Sequence, residues 1–162
     1  MKRGIVSGIV FILLAWIPSF SRAQGDAGGF NGIPWGSDFG QTAGLISLKE
    51  FRDYKVCLRN GEVHRIDGAE VEEIRYEFYK NKFYSVTVRF SGNQNFRALL
   101  EGLLRRFGAA EGRTKYWEEY EWSTRELNVL LRYADAEKRG SLEYQYQPIF
   151  DQMTRDENCC TP

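Results

Sequence analysis

Apolar and polar residues alternate along much of the chain, which is the pattern of strands with one buried face. The alternating stretches are 54–59, 74–79, 84–90, 116–122, 127–133 and 142–146. Asn60-Gly61 directly follows the first stretch and is a strong hairpin signal. A hairpin there would bury Leu58 together with Val63 and set Cys57 opposite His64.

One stretch has helical periodicity instead. Its apolar residues at 96, 99, 100, 103, 104 and 107 share one face only in a helix, and Gly108 is a suitable stop. A weaker helix is predicted after Ser37, where apolar residues 39, 43 and 46 fall on one side. We therefore expect two helices.

The apolar residues of neighbouring strands lie on one common face only if the loop between the strands has a length that pairs them. Phe78 must then pair with Tyr84 across a three-residue loop at 80–82, and a four-residue loop at 123–126 joins the next two strands. The expected fold is α+β, with two helices packed on one face of an antiparallel sheet of six or seven strands.

A short motif occurs twice, which indicates a divergent internal repeat. Tyr76-Glu77-Phe78 recurs as Tyr120-Glu121-Trp122, and each motif opens a predicted hairpin that follows a predicted helix. The repeated unit would be one helix followed by one hairpin.

The length of 162 residues suits a single domain, and an aromatic content of 15% supplies a sizeable core. Residues 24–32 are rich in glycine and are expected to be a flexible lead-in. The domain is expected at 33–150, followed by a C-terminal tail at 151–162.

The first 23 residues are typical of a cleavable export signal. Lys2 and Arg3 precede an apolar run from Ile5 to Ile17, and Ser21-Arg22-Ala23 offers small residues where a signal peptidase cuts. The run is shorter than the roughly 20 residues that span a bilayer. We expect a soluble periplasmic or secreted protein without a permanent membrane anchor.

Charge and motifs exclude several classes of function. The chain has 22 basic and 22 acidic residues and no basic run, so nucleic acid is not an expected partner. It contains no GxGxxG, GxxxxGK or HExxH motif, and no cofactor or metal is expected.

Export would place the three cysteines in an oxidising compartment. Cys57, Cys159 and Cys160 can form at most one intramolecular bridge, and a disulfide between adjacent cysteines is strained. A bridge from Cys57 to Cys159 or Cys160 is expected, with the choice between the two left open.

Two arrangements could support catalysis. His64 is the one histidine, and beside Cys57 it could act as the base for a thiol nucleophile, although a strand does not lower a thiol pKa. Glu119 and Glu121 share a strand face, and paired carboxylates are the machinery of glycoside hydrolysis. Both patterns are more typical of ordinary strand residues, so no catalytic residue is assigned.

Aromatic residues on the polar phase of the strands favour a binding role. Tyr79, Phe83 and Trp117 fall on that phase and are the candidate contacts for a partner. We therefore expect a non-catalytic envelope module that binds another protein. The alternative is an enzyme that acts on cell-wall glycan or peptide through Glu119 and Glu121.

The sequence Phe-Asn-Gly-Ile-Pro-Trp-Gly-Ser at 30–37 resembles the opening of small exported proteins of unknown function from Gram-negative bacteria, which reads F-x-G-I-P-W-G-S/T. Their further motifs are matched at Tyr76-Phe78, Phe107-Gly108 and Tyr120-Trp122, so the resemblance spans about residues 30–147. It implies a periplasmic location and this architecture, and it assigns no reaction.

Overall fold

The computed structural model describes residues 28–110 and 118–159, and within them it has an α+β fold. Two helices accompany a seven-stranded antiparallel sheet and two small two-stranded ribbons. A short 3₁₀ helix lies at Phe39–Gln41. In chain order the other elements are β1 (Gly29–Phe30), β2 (Ile33–Pro34), β3 (Leu45–Phe51), β4 (Tyr54–Arg59), β5 (Arg65–Ile66), β6 (Ala69–Glu70), β7 (Glu73–Tyr79), β8 (Lys82–Ser91), α1 (Asn93–Phe107), β9 (Glu118–Ser123), β10 (Leu127–Ala134), β11 (Arg139–Tyr146) and α2 (Gln147–Cys159).

The order of strands in the large sheet is β3-β4-β7-β8-β11-β10-β9. After β8 the chain leaves the sheet as α1, and the next strand that the structure describes is β9, at the far edge. It then returns inward through β10 to β11, which pairs with β8. The edges of the described sheet are therefore β3 and β9.

The hydrophobic core lies on one face of this sheet, which we call the inner face. Tyr76, Val86, Leu131 and Tyr144 on this face are fully buried. The covering layer consists of α1, the β5–β6 ribbon and the β1–β2 ribbon, and its buried residues include Phe96, Leu99, Leu103, Ile66 and Phe30. This confirms the predicted helix and the shared face of the strands.

The second helix contacts the opposite, outer face. The Tyr79 hydroxyl donates a hydrogen bond to Asp156 at 2.8 Å, and the Tyr54 hydroxyl donates one to Glu157. Tyr54 and Tyr79 are cross-strand partners in positions that alternate with the inner-face residues. The two helices of the structure therefore contact different faces of the sheet, and α2 is not one of the two helices predicted from the sequence.

The helix predicted after Ser37 is absent. Only the 3₁₀ turn forms, and 45–51 becomes strand β3. Gly44 has a φ of +80°, a conformation that ends any helix before residue 46. The proposed repeat fails for the same reason, because strands and not a helix precede the first hairpin.

The predicted hairpin at Asn60-Gly61 is also wrong. Strand β4 pairs with β3 through a two-residue turn at Arg52-Asp53, and on its other side it pairs with β7. This pairing sets Cys57 opposite Tyr76, so Cys57 faces the core and Leu58 faces outward. The alternation was correctly read as a strand, but its buried phase is shifted by one residue.

The β7–β8 hairpin uses a two-residue turn, Lys80-Asn81, in which both residues have positive φ. The extra residue that we placed in a three-residue loop is instead Tyr84, in a bulge. The strands share a buried face as predicted. Phe83, however, joins the core.

Both ends of the domain extend beyond their predicted limits. Phe30 belongs to the expected flexible lead-in, yet it forms part of β1 and is fully buried. At the other end, α2 runs over 147–159 and includes most of the expected tail. The folded unit thus covers at least residues 28–110 and 118–159.

Candidate functional site

The cysteine and histidine that could have formed a catalytic pair do not face one another. Cys57 is fully buried on the inner face, where its cross-strand partners are Ser47 and Tyr76. His64 lies exposed in the loop after β4. Burial raises the pKa of the Cys57 thiol, which disfavours the thiolate that a nucleophile requires.

The predicted disulfide is not present at Cys57, which is a free cysteine in the structure. Its side chain lies on the inner face, whereas α2, which ends at Cys159, contacts the outer face. The sheet therefore separates Cys57 from the described part of α2. Cys160 lies outside the described residues.

The two glutamates of the catalytic alternative lie on the outer face of β9. Glu119 accepts a hydrogen bond from Arg132 Nε at 2.8 Å, and Glu143 lies 3.6 Å from the same guanidinium. Glu121 accepts from Ser123 Oγ at 3.4 Å, within its own strand. This is a cross-strand ion-pair network, and neither glutamate lines either of the two cavities described below.

The aromatic residues predicted as partner contacts are not exposed where the structure describes them. Phe83 is fully buried, with its ring stacked on Trp35 at 4.7 Å, because the bulge at Tyr84 turns it inward. Tyr79 is 4% exposed and lies beneath α2. Trp117 lies outside the described residues. The prediction that Tyr79 and Phe83 form a binding surface is therefore wrong.

The exposed apolar surface lies instead on β3, which sequence reasoning assigned in part to a helix. Ile46, Leu48 and Phe51 are 57%, 55% and 60% exposed. A register shift between Ser47 and Lys49 leaves Leu48 unpaired in a bulge. The run Leu-Ile-Ser-Leu-Lys-Glu-Phe at 45–51 has an apolar content that could have indicated a strand.

A mainly apolar hollow of about 370 Å³ opens beside this edge. It is lined by Lys49 and Phe51 of β3 and by their cross-strand partners Val56 and Tyr54 of β4. The four side chains therefore belong to the outer face. The guanidinium of Arg52 lies 5.3 Å from the centre of the Phe51 ring.

Tyr54, one of the residues that line this hollow, is held in place by α2. Burial and the Glu157 carboxylate raise the pKa of the Tyr54 hydroxyl, so that it stays protonated and donates to Glu157. The ring of Tyr79 packs on that of Tyr54 at 5.1 Å. These contacts hold the Tyr54 side of the hollow, and the side chain of Phe51, its cross-strand partner, is 60% exposed.

A second cavity, of about 410 Å³, has a charged lining. Its lining residues are Leu58, Arg59, Glu62, His64, Glu72, Glu73, Ile74 and Arg89. Glu62 accepts hydrogen bonds from Asn31 and Tyr76 through one carboxylate oxygen. Arg59 donates to the Asn31 carbonyl at 2.9 Å, and Glu73 pairs with Arg75 at 2.8 Å. Several of these charges are thus already used within the fold.

No group of three His, Cys, Asp or Glu side chains within 28–110 and 118–159 is placed to hold a metal ion. In the same residues, no helix has the length and apolar character needed to cross a membrane.

Comparisons with protein-family models, curated proteins and solved structures find no match to this chain. The resemblance of the opening motif to exported proteins therefore stays a prediction. The candidate site therefore rests on the geometry of β3 and β4.

Proposed function

We propose that this protein is a non-catalytic protein-binding module of the bacterial cell envelope and that it binds an extended segment of another protein along β3. One observation carries the proposal. Five large apolar side chains are exposed in the described part of the chain, and three of them lie on this single edge strand. Edge strands are normally protected against pairing, so an apolar edge favours strand addition.

The dimensions of the edge favour a transient complex. Seven residues of β3 extend over about 23 Å at roughly 3.3 Å per residue. One added strand buries less than the roughly 800 Å² per partner of a standard stable interface. We expect a dissociation constant in the micromolar range, which suits reversible recognition.

The envelope location is supported by the sequence of the first 23 residues. A charged start, a short apolar run and Ser21-Arg22-Ala23 occur together there. Cleavage after Ala23 would remove none of the described domain, which starts at Gly28. The exported form would therefore keep β3 and the whole core.

The alternative, an enzyme that acts on cell-wall glycan or peptide, has less support. The Glu119 carboxylate is held in an ion pair with Arg132. A glycosidase needs a protonated acid and a second carboxylate on either side of a bound sugar. The outer face of β9 instead presents Glu119 and Glu121 side by side on one strand.

The proposal is tested by site-specific photo-crosslinking in envelope extract, with a photoreactive residue at position 48 or 63. Val63 is the matched control, because it is also apolar and 71% exposed but lies outside β3. We expect an adduct from position 48 only, and slower amide hydrogen exchange in β3 when the captured protein is added. With the photoreactive residue at position 48, Ile46→Lys and Phe51→Lys should each abolish the adduct, whereas Val63→Lys should not.

Three results would overturn the proposal. The first is equal capture of the partner by the wild type and by both β3 variants. The second is a dimer of this chain that depends on Leu48 and accounts for the adduct. The third is peptidoglycan turnover by the protein that is lost in Glu119→Gln.

A further inference from the structure

The hollow beside β3 restricts the chemistry of the segment that can bind there. We propose that the bound segment places one large apolar side chain in the hollow formed by Lys49, Phe51, Tyr54 and Val56, and an acidic side chain next to Lys49. This inference rests on the proposed function and adds a sequence requirement to it.

The position of the hollow explains why an incoming strand would reach it. Lys49 and Phe51 face outward from the edge strand itself, and Val56 and Tyr54 lie behind them on β4. A strand added to β3 directs every second side chain to the same outer face. One of those side chains would then lie over the hollow, beside the exposed ring of Phe51.

The size and lining of the hollow favour a single apolar group. Its volume of about 370 Å³ is near the lower end of the roughly 300–1,000 Å³ typical of small-ligand pockets. Phe51, Val56 and the ring of Tyr54 supply most of its wall. A Phe or Leu side chain would bury apolar surface there, whereas Ala would leave the hollow largely unfilled.

On its Lys49 side the hollow favours an acid, whereas its Tyr54 side already carries the Glu157 carboxylate. Lys49 has no ion pair among the described residues, whereas Lys55 is paired with Glu50 at 2.5 Å on the inner side of the same hairpin. Arg52 adds a second positive charge beside Phe51. A carboxylate on the partner segment would pair with Lys49 at the rim of the interface, where charge sets specificity more than affinity.

The experiment measures fluorescence anisotropy of the full exported protein with labelled nine-residue peptides of alternating Thr and Val. The central residue is Phe or Ala, and the next outward-facing residue is Glu or Lys. We expect the Phe-Glu peptide to bind about 10-fold or more tightly than the Ala-Glu peptide. Replacing Glu by Lys in the peptide should weaken binding about 2- to 5-fold.

Two variants test the two contacts separately. Val56→Phe fills the hollow and should remove the preference for Phe over Ala, while Val63→Phe should leave the preference intact. The side chain of Lys49 lies on the surface, so Lys49→Glu does not alter the core. This variant should bind the Lys peptide more tightly than the Glu peptide. A charge reversal of this kind cannot arise from loss of folding.

The outcomes separate this inference from the proposed function. Equal binding of the Phe and Ala peptides, or an unchanged charge preference in Lys49→Glu, overturns the inference. The absence of binding by any peptide at a protein concentration of about 1 mM also overturns the inference, because this concentration reveals even weak binding. If Leu48 still crosslinks a partner in those cases, the proposed function stands. If the Leu48 crosslink is also absent, both fail.

Discussion

The residues of the opening motif act together to close one end of the core. Phe30 and Ile33 are buried in the inner layer. The ring of Trp35 stacks on Phe83 at 4.7 Å and on Tyr146 at 6.1 Å, and Ser37 Oγ donates to the Pro34 carbonyl at 2.7 Å. A tryptophan next to a turn commonly packs against the core in this way, and the motif is thus explained by packing.

Single-residue shifts account for most errors in the predicted site. Phe83 and Cys57 were both assigned to the wrong face of a strand that was itself correctly predicted. The bulge at Tyr84 shifts the phase of β8, and the pairing of Cys57 with Tyr76 sets the phase of β4. Alternation shows that two faces exist, but only long-range pairing decides which one is buried.

The burial of Cys57 predicts that its thiol does not react in the folded protein. Burial removes access and raises the pKa of the thiol, which lowers the thiolate fraction. Iodoacetamide should leave the Cys57 peptide unmodified under native conditions and alkylate it in concentrated urea, as read by peptide mass mapping. A Cys57→Ala variant identifies the peptide.

Two observations would contradict this prediction. They are rapid alkylation of Cys57 in the native protein and, in protein taken directly from the periplasm, a Cys57 peptide joined to Cys159 or Cys160.

The two helices differ in how far their own sequences predict where they lie in the fold. The predicted apolar stripe of α1 is a property of one continuous segment, and its central residues Leu99 and Leu103 are fully buried as expected. In contrast, α2 makes polar contacts with the sheet that its own sequence does not reveal. Asp156 binds Tyr79 and Lys80, which are more than 70 positions away.

The choice of hairpin shows the same competition between local and distant interactions. Asn60-Gly61 forms a turn, with Gly61 at a φ of +68°, as its sequence indicates. The strand before that turn nevertheless pairs with β3 and β7 on its two sides. Strands β3 and β7 together bury more of β4 than the short segment 62–64 could. The pairing with these two strands therefore prevails over a hairpin at Asn60-Gly61.

The anchoring of α2 by Asp156 predicts an effect that depends on pH. Hydrogen bonds from Lys80 and Tyr79 lower the pKa of Asp156 below its usual value of 3.8. A lowered carboxyl pKa contributes stability above that usual value, and the contribution is lost as the pH falls through the folded-state pKa. The window of loss therefore lies below about pH 4.

Amide hydrogen exchange of α2 in wild type and Asp156→Asn tests this anchoring. At pH 7 the variant should exchange faster in the second half of α2, by less than about fivefold because the pair is partly exposed. Near pH 2 the two proteins should exchange alike. Asp151→Asn, at an exposed acid of the same helix, should match wild type at both pH values. A difference between Asp156→Asn and wild type that persists at pH 2 would contradict the ion-pair explanation.

At the scale of the whole molecule, the fold class could be predicted from the sequence, whereas the apolar edge strand that we propose as the binding site could not. Repeated alternation and one amphipathic helix are enough to indicate an antiparallel sheet with a helical layer. The identity of an edge strand depends instead on the strand order β3-β4-β7-β8-β11-β10-β9, in which the last three strands enter from the far side. Because exposure of Ile46, Leu48 and Phe51 follows from that order, no local pattern could identify them as a site.

The division between the first 23 residues and the described domain leads to the prediction that the mature chain starts near Gln24. Removal of the leader takes away Lys2, Arg3 and Arg22 and no acid, which leaves 19 basic and 22 acidic residues in 139. The core contacts of Phe30 and all later elements remain, so the cleaved protein should unfold at the same denaturant concentration as the uncleaved chain.

N-terminal sequencing and mass spectrometry of protein released from the periplasm of a Gram-negative host provide the test. The control is Ala23→Arg, which replaces the small residue at the cleavage position and should block processing. Recovery of wild-type protein that still carries Met1, or its release only with the inner membrane, would contradict the export prediction and with it the proposed envelope location.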